Sequence, residues 1–241
     1  MKDIISSEFY KLKNRRKHKL ALGVSVLAIV LFCIYFLIYK NVGVADFLFF
    51  YLQKVYSFII ALAVLYNYFF QEEYQYNTQK NLIWIMRNTK SIFLGKFIVQ
   101  LVIVTINYLA ICLVLFLFVI IKSNDFSEIK ALLMIIFGFY FVLIRAMMLF
   151  DLFTIIWKND YVTFALYWCI VNFVGLLVGI LESLNKIGEV LSLYTIQGQL
   201  SNVFITAVDG NSFVTSIIVN LLLSLIGLCI CVLMYKMNNK K

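Results

Sequence analysis

Residues Leu20 to Tyr39 run without a single charged side chain. About 20 such residues make roughly 30 Å of helix, the thickness of a bilayer's hydrocarbon core. Further apolar runs of similar length follow and fill most of the 241 residues. A chain built this way can bury those runs in lipid but has no room for a soluble domain of about 100 residues. Its composition agrees, with 63% hydrophobic and 14% charged residues against roughly 45–50% and 25% in soluble domains. In lipid every backbone polar group must be satisfied internally, so a spanning segment is a helix or a strand of a closed barrel. The period-two alternation of barrel strands is missing. The expected fold is an all-α integral membrane protein, a single transmembrane domain over 1–241.

Six spans are expected, at 20–39, 47–70, 97–121, 131–157, 161–181 and 213–235. The first follows "KLKNRRKHK", which has the charge of a signal-peptide opening. Its apolar run is long and ends without a small-residue cleavage site, so it reads as an uncleaved anchor. An even number of spans puts both termini on one side. That side carries Lys2, Lys11, Lys13, Arg15, Arg16, Lys17, Lys19, Lys80, Arg87, Lys90, Lys96, Lys158, Lys236, Lys240 and Lys241. The opposite side holds Lys40, Lys54, Lys122, Lys130 and Lys186. The positive-inside rule therefore places both termini in the cytoplasm. The net charge of +9 then reports orientation, and no nucleic-acid partner is expected.

Three segments are amphipathic without being spans. In 1–19, Ile5, Phe9 and Leu12 recur at helical spacing, as in an interfacial helix or a basic anchor. In 182–212, Ile187, Val190, Leu191 and Tyr194 form one short helical stripe. Leu200, Val203, Phe204, Ala207 and Val208 form another, after a break expected at "QGQ", Gln197 to Gln199. Each is too short to cross a bilayer. The pair is expected either to dip into the outer leaflet as a re-entrant hairpin or to lie flat on the outer surface. The third segment, 71–91, opens with Glu72 and Glu73, passes a polar stretch with Thr78, and presents "NLIWIM" before Arg87, Lys90 and Lys96. An apolar knob of Leu82 and Trp84 between polar shoulders suits docking into a groove on another protein. The alternative is a helix lying on the inner leaflet with Trp84 as anchor.

Most intrinsic chemistries are excluded by missing residue types. Five Cys all lie in apolar runs and the single His, His18, sits among lysines, so neither a disulfide framework nor a metal site is expected. With no His inside the spans, a Ser–His protease has no base. A P-loop needs G-x-x-x-x-G-K-[ST]. The one Gly-Lys pair, Gly95-Lys96, lacks the upstream Gly and the following hydroxyl. No catalytic or nucleotide site is expected in the chain itself. Pro is absent altogether, which weakens a secondary transporter with broken helices.

Within the spans, Arg145 and Asp151 stand out, because a charge near the bilayer centre costs at least about 2.5–3.5 kcal/mol unless paired or hydrated. Six residues apart on one helix, they pair poorly with each other. Arg145 either faces a pathway or is held structurally by carbonyls and side chains such as Asn107 or Asn172. Gly175 and Gly179 have the small-xxx-small spacing of a helix-packing face, a candidate dimer interface. The 23 Phe and 15 Tyr suit either lipid-facing and interfacial positions or an aromatic-lined cavity.

Taken in order, "SEFYKLKNRRKHK", the six spans, the loop "EEYQYNTQKNLIW" running to "RNTKSIFLGKF", and the twin amphipathic stretch resemble the ABC type-2 permease family. Glu72 or Glu73, Thr78 and Lys96 carry the alignment, with Asn77 where many relatives have Gly. The resemblance implies a permease working as a dimer, with a second copy or a paralogue, among the lipids of a bacterial plasma membrane. It implies a cytoplasmic ABC ATPase partner that holds ATP and Mg while this chain binds no cofactor. It also implies that Glu72, Glu73, Thr78, Leu82, Trp84 and Arg87 form the coupling helix that docks on that ATPase. Small permeases of the kind it resembles often belong to bacteriocin-immunity or peptide-toxin exporters, including those that release phenol-soluble modulins, so an amphipathic peptide is the first substrate expectation and an antibiotic-like or lipid-like molecule the second. A secondary transporter or a non-transporting adaptor or immunity protein is the alternative.

Overall fold

The computed structural model describes residues 2–14, 88–122, 126–184 and 213–238, with isolated positions in 23–38 and 188–203. The expected second span, 47–70, and residues 71–87 lie outside the described residues. Five long helices are described, with no strand among them. They are α1 (Lys2–Asn14), α2 (Thr89–Lys122), α3 (Phe126–Trp157), α4 (Asp160–Leu184) and α5 (Phe213–Asn238). Four of them, α2 to α5, are long and apolar enough to cross a membrane. The described positions of the first expected span, among them Cys33, are helical.

The helices outrun the spans expected from hydropathy. The third was placed at 97–121, whereas α2 begins at Thr89, eight residues or about 12 Å earlier. Hydropathy marks where a helix is in lipid. Its end is set by capping, and here Asn88 supplies the cap: its side-chain oxygen accepts from Ser91 N at 3.3 Å and its carbonyl from Ile92 N at 3.3 Å. The last residues of the 71–91 segment are thus the first turn of α2.

The turn between α3 and α4 is two residues long. Lys158 takes a left-handed conformation, φ 54°, and its N–H bonds back to Thr154 O at 2.9 Å, closing α3. Asn159 caps α4 through Val162 N at 3.3 Å. The start of α2 and the ends of α3 and α5 gather with α1 into one apolar cluster of Ile4, Ile92, Phe93, Ile155, Cys231 and Tyr235. Asn238 Nδ2 donates across it to Ile155 O at 2.8 Å. The larger cluster occupies the rest of the bundle, where Cys33, Leu115, Phe139, Val142, Tyr167, Ile196 and Val203 are among its members. Of the described pairs, α3 and α5 pack together most extensively.

The N-terminal helix docks on a face adjacent to the one expected to meet lipid. Ile4 and Glu8 are buried, and Ile4 lies where a Cβ on Gly95 of α2 would stand 2.9 Å from its Cγ2. Glu8 accepts from Lys11 at 2.7 Å. Phe9 and Tyr10 stay exposed, 39% and 70%, so the Phe9 side remains open while its neighbour is protein-bound.

Several buried aromatics tie helices together, a job beyond the two expected of the aromatic side chains. Phe150 and Tyr167 join α3 to α4 edge-on at 5.4 Å between centroids, and Phe93 and Tyr235 join α2 to α5 at 5.5 Å. Tyr108 of α2 donates to Ile136 O of α3 at 2.6 Å. In a bilayer apolar contact alone gives little reason for helices to prefer one another over lipid, so shape-matched rings and interhelical hydrogen bonds carry the association.

Candidate functional site

The described interior holds one connected polar cluster, and Arg145 is its charge. Arg145 sits on α3, 8% exposed. One guanidinium nitrogen donates to Asn220 Oδ1 of α5 at 3.3 Å, and the other donates to the carbonyl of Tyr194. Asn220 in turn donates to Gln199 Oε1 at 2.8 Å and to Ser216 O at 2.9 Å. Ser216 Oγ donates to the same Gln199 oxygen at 2.5 Å. The chain of contacts therefore runs from α3 through α5 into the 182–212 segment.

That segment is organised differently from the sequence expectation. Among the described residues the break falls at Tyr194 and Thr195, and Gly198 and Gln199, where a break was expected, are helical. Thr195 is the reason: its hydroxyl accepts from Gly198 N at 2.9 Å and its carbonyl from Gln199 N at 3.1 Å, the pattern of a helix N-cap. Gly198 lies inside the first turn rather than ending a helix. Starting there, Ile196, Gln199 and Val203 share one helical face and are all buried, whereas Val190, Leu191 and Tyr194 are exposed. Val203 meets α3 where Gly138 leaves room, since a Cβ on Gly138 would stand 2.5 Å from Val203 Cγ1. Gln199 meets Ser216 and Asn220, three and seven residues into α5, which is about 5 and 10 Å along its axis.

Of the partners expected for Arg145, a carbonyl is present, that of Tyr194, while Asn220 is a side-chain partner the sequence did not single out. Asn107 and Asn172 donate instead to carbonyls four residues back on their own helices, Ile103 O and Trp168 O, at 2.9 and 2.8 Å. Sequence reasoning missed Asn220, Ser216, Gln199 and Thr195. The available signal was an Asn and a Ser four residues apart on one face of an apolar helix, which are costly in lipid unless something bonds them.

Asp151, the other charged residue expected inside the membrane, belongs to a separate contact. It is fully buried on α3 and accepts at Oδ1 from Gln100 Nε2 of α2 at 2.9 Å. Gly175 and Gly179 lie on α4, and a Cβ added at Gly179 would meet nothing within 4 Å among the described residues. The rest of that helix's outer face is apolar and open, with Trp168, Phe173, Leu176 and Ile180 exposed. Glu72, Glu73, Thr78, Leu82, Trp84 and Arg87 lie outside the described residues.

Among the described residues no group of His, Cys, Asp or Glu is arranged to hold a metal. The Arg145 cluster consists of amides, one hydroxyl and a permanently charged guanidinium. Such a set orients and holds but supplies no nucleophile with a base beside it. A family model described as ABC-2 family transporter protein matches residues 4–179. No curated protein and no solved structure matches the chain.

Proposed function

Since the chain belongs to the ABC-2 family of transporter proteins and is a membrane permease of an ABC transporter working with an ABC ATPase subunit, we propose that it forms the export pathway and takes its motion through residues 71–91. The observation that carries this reading is the continuity of that segment with α2. Asn88 caps a helix of 34 residues, about 50 Å, which holds α1 at its start and contacts α3 and α5 along its length. A push on its capped end moves a stiff rod packed against most of the described bundle. In this reading Glu72, Glu73, Thr78, Leu82, Trp84 and Arg87 form the docking surface, ATP and Mg reside on the ATPase, and this chain catalyses nothing itself.

The remaining topology follows the charge distribution. Six spans put both termini in the cytoplasm, the 182–212 segment outside, and the chain in a bacterial plasma membrane. Arg145 then clasps the outer hairpin to α3 and α5 and does not line the pathway, because its described donors meet Asn220 and Tyr194. A second copy or a paralogue covers the open α4 face. An amphipathic peptide is the substrate class we favour, with an antibiotic-like molecule second.

The test is purification of the tagged protein from its host in mild detergent, with and without Leu82→Glu and Trp84→Glu together. We expect a Walker-type ATPase in fixed proportion with the wild type and its loss from the double variant, whose spans remain folded. An ATPase retained by the double variant would remove the docking role from this segment. A preparation that never contains one would favour the adaptor reading.

A further inference from the structure

Gln100 on α2 and Asp151 on α3 are both fully buried and share a single hydrogen bond, Nε2 to Oδ1 at 2.9 Å. That bond uses half of each group. Asp151 Oδ2 and Gln100 Oε1 have no hydrogen-bond partner among the described residues. Both are acceptors if the carboxylate is ionised, and an unsatisfied buried acceptor costs about 1–3 kcal/mol, more when charged. One proton removes both deficits. A carboxylic acid and a primary amide each present one donor and one acceptor on the same edge, so they can close a cyclic pair: Nε2–H to Oδ1 and Oδ2–H to Oε1. We propose that Asp151 is a proton-binding site in the membrane interior, holding the proton on Oδ2 and donating it to Gln100 Oε1.

No donor among the described residues makes a hydrogen bond to Oδ2. Lys96 lies one turn before Gln100 on α2, and Arg145 of α3 donates to Asn220 and Tyr194. On α5 the Cys231 thiol engages Met148 O at 3.6 Å and Tyr235 packs against Phe93. Tyr167 of α4 packs against Phe150, and Glu8 of α1 pairs with Lys11. Separating α2 from α3 would part the acid from its amide, admit water and release the proton. The packed arrangement binds one proton more than the parted one, so acidification favours packing and alkalinisation favours parting. Coupling of that release to a transport cycle rests on the function proposed above. The proton site itself does not.

The experiment is infrared difference spectroscopy of the full-length protein in phosphatidylcholine nanodiscs, titrated from neutral to alkaline pH, on the wild type and Asp151→Asn. Asparagine can make the same two bonds, donating Nδ2–H to Gln100 Oε1, but carries no titratable proton. We expect a protonated-carboxyl carbonyl band at neutral pH that is absent from D151N, and a melting temperature that falls with alkalinisation in the wild type only. Carboxylate bands alone in that difference would show an ionised Asp151, as in a cation site, and overturn the proposal. Asp151→Leu supplies a second check, because it orphans the Gln100 amide and should melt below D151N. Equal melting of the two variants would also overturn it. A preparation lacking any ATPase leaves these bands unchanged, so the two readings fail separately.

Discussion

A guanidinium in the middle of a membrane helix is tolerated when its donors are taken up by acceptors, and at Arg145 each acceptor comes from a different part of the chain. Arg145→Leu strips a donor from Tyr194 O and from Asn220 Oδ1, at about 1–3 kcal/mol for the buried Asn220 oxygen left unpaired. The expected outcome is a lower melting temperature in detergent. Arg145→Lys, a point charge in place of a fork, should fall between the two. Export by an assembled R145L at the wild-type rate would establish that the charge only holds structure, whereas lost export with normal assembly would return it to the pathway. A milder pair of changes tests the α3–α4 turn. Asn159→Ala should cost about 1 kcal/mol through the lost cap. Lys158→Gly should be neutral or stabilising, because φ 54° is disfavoured with a Cβ present. Thermal melts of both variants check the turn, and the reverse order would refute it.

Helices in this bundle approach closely where a side chain is missing. Gly138 admits Val203 from the 182–212 segment, and Gly95 admits Ile4 from α1. Filling either gap overpacks a contact at roughly 1–3 kcal/mol, and the weaker element should give way. Gly138→Val should therefore lift the short helix that starts at Thr195 off α3. A Val203→Cys probe, buried in the parent, should then react several-fold faster with a maleimide. Unchanged labelling would mean that α3 shifts instead. Gly95→Leu should undock α1 and speed proteolysis after Lys11, whose partner Glu8 is buried only while α1 is docked.

At the scale of the whole molecule, α4 leaves much of its surface bare among the described residues. Its apolar outer face carries Gly179 with open space above it. If a second protomer covers that face, Gly179→Cys should form an intermolecular disulfide in membranes under mild oxidation. Monomer at every oxidant level would place the interface elsewhere. The long helices α2 to α5 could be located from sequence because a bilayer tests composition locally: about 20 apolar residues in a row suffice, whatever they later touch. The same reading began α2 too late, since the cap at Asn88 lies in polar sequence where hydropathy is silent. It also placed the hairpin break at Gln197 to Gln199, although Thr195, a residue type that favours caps, stood just before them. Of the polar cluster and the separate Gln100–Asp151 contact it found Arg145 and Asp151, whose charge makes them conspicuous, and missed Gln199, Ser216, Asn220 and Gln100. What the sequence determined by itself was an all-helical membrane chain and the positions that could not be left bare in lipid. Which partner each of those positions took was decided only in three dimensions, because such a hydrogen bond depends on the residues that packing brings within reach, and these lie 49 to 75 positions apart.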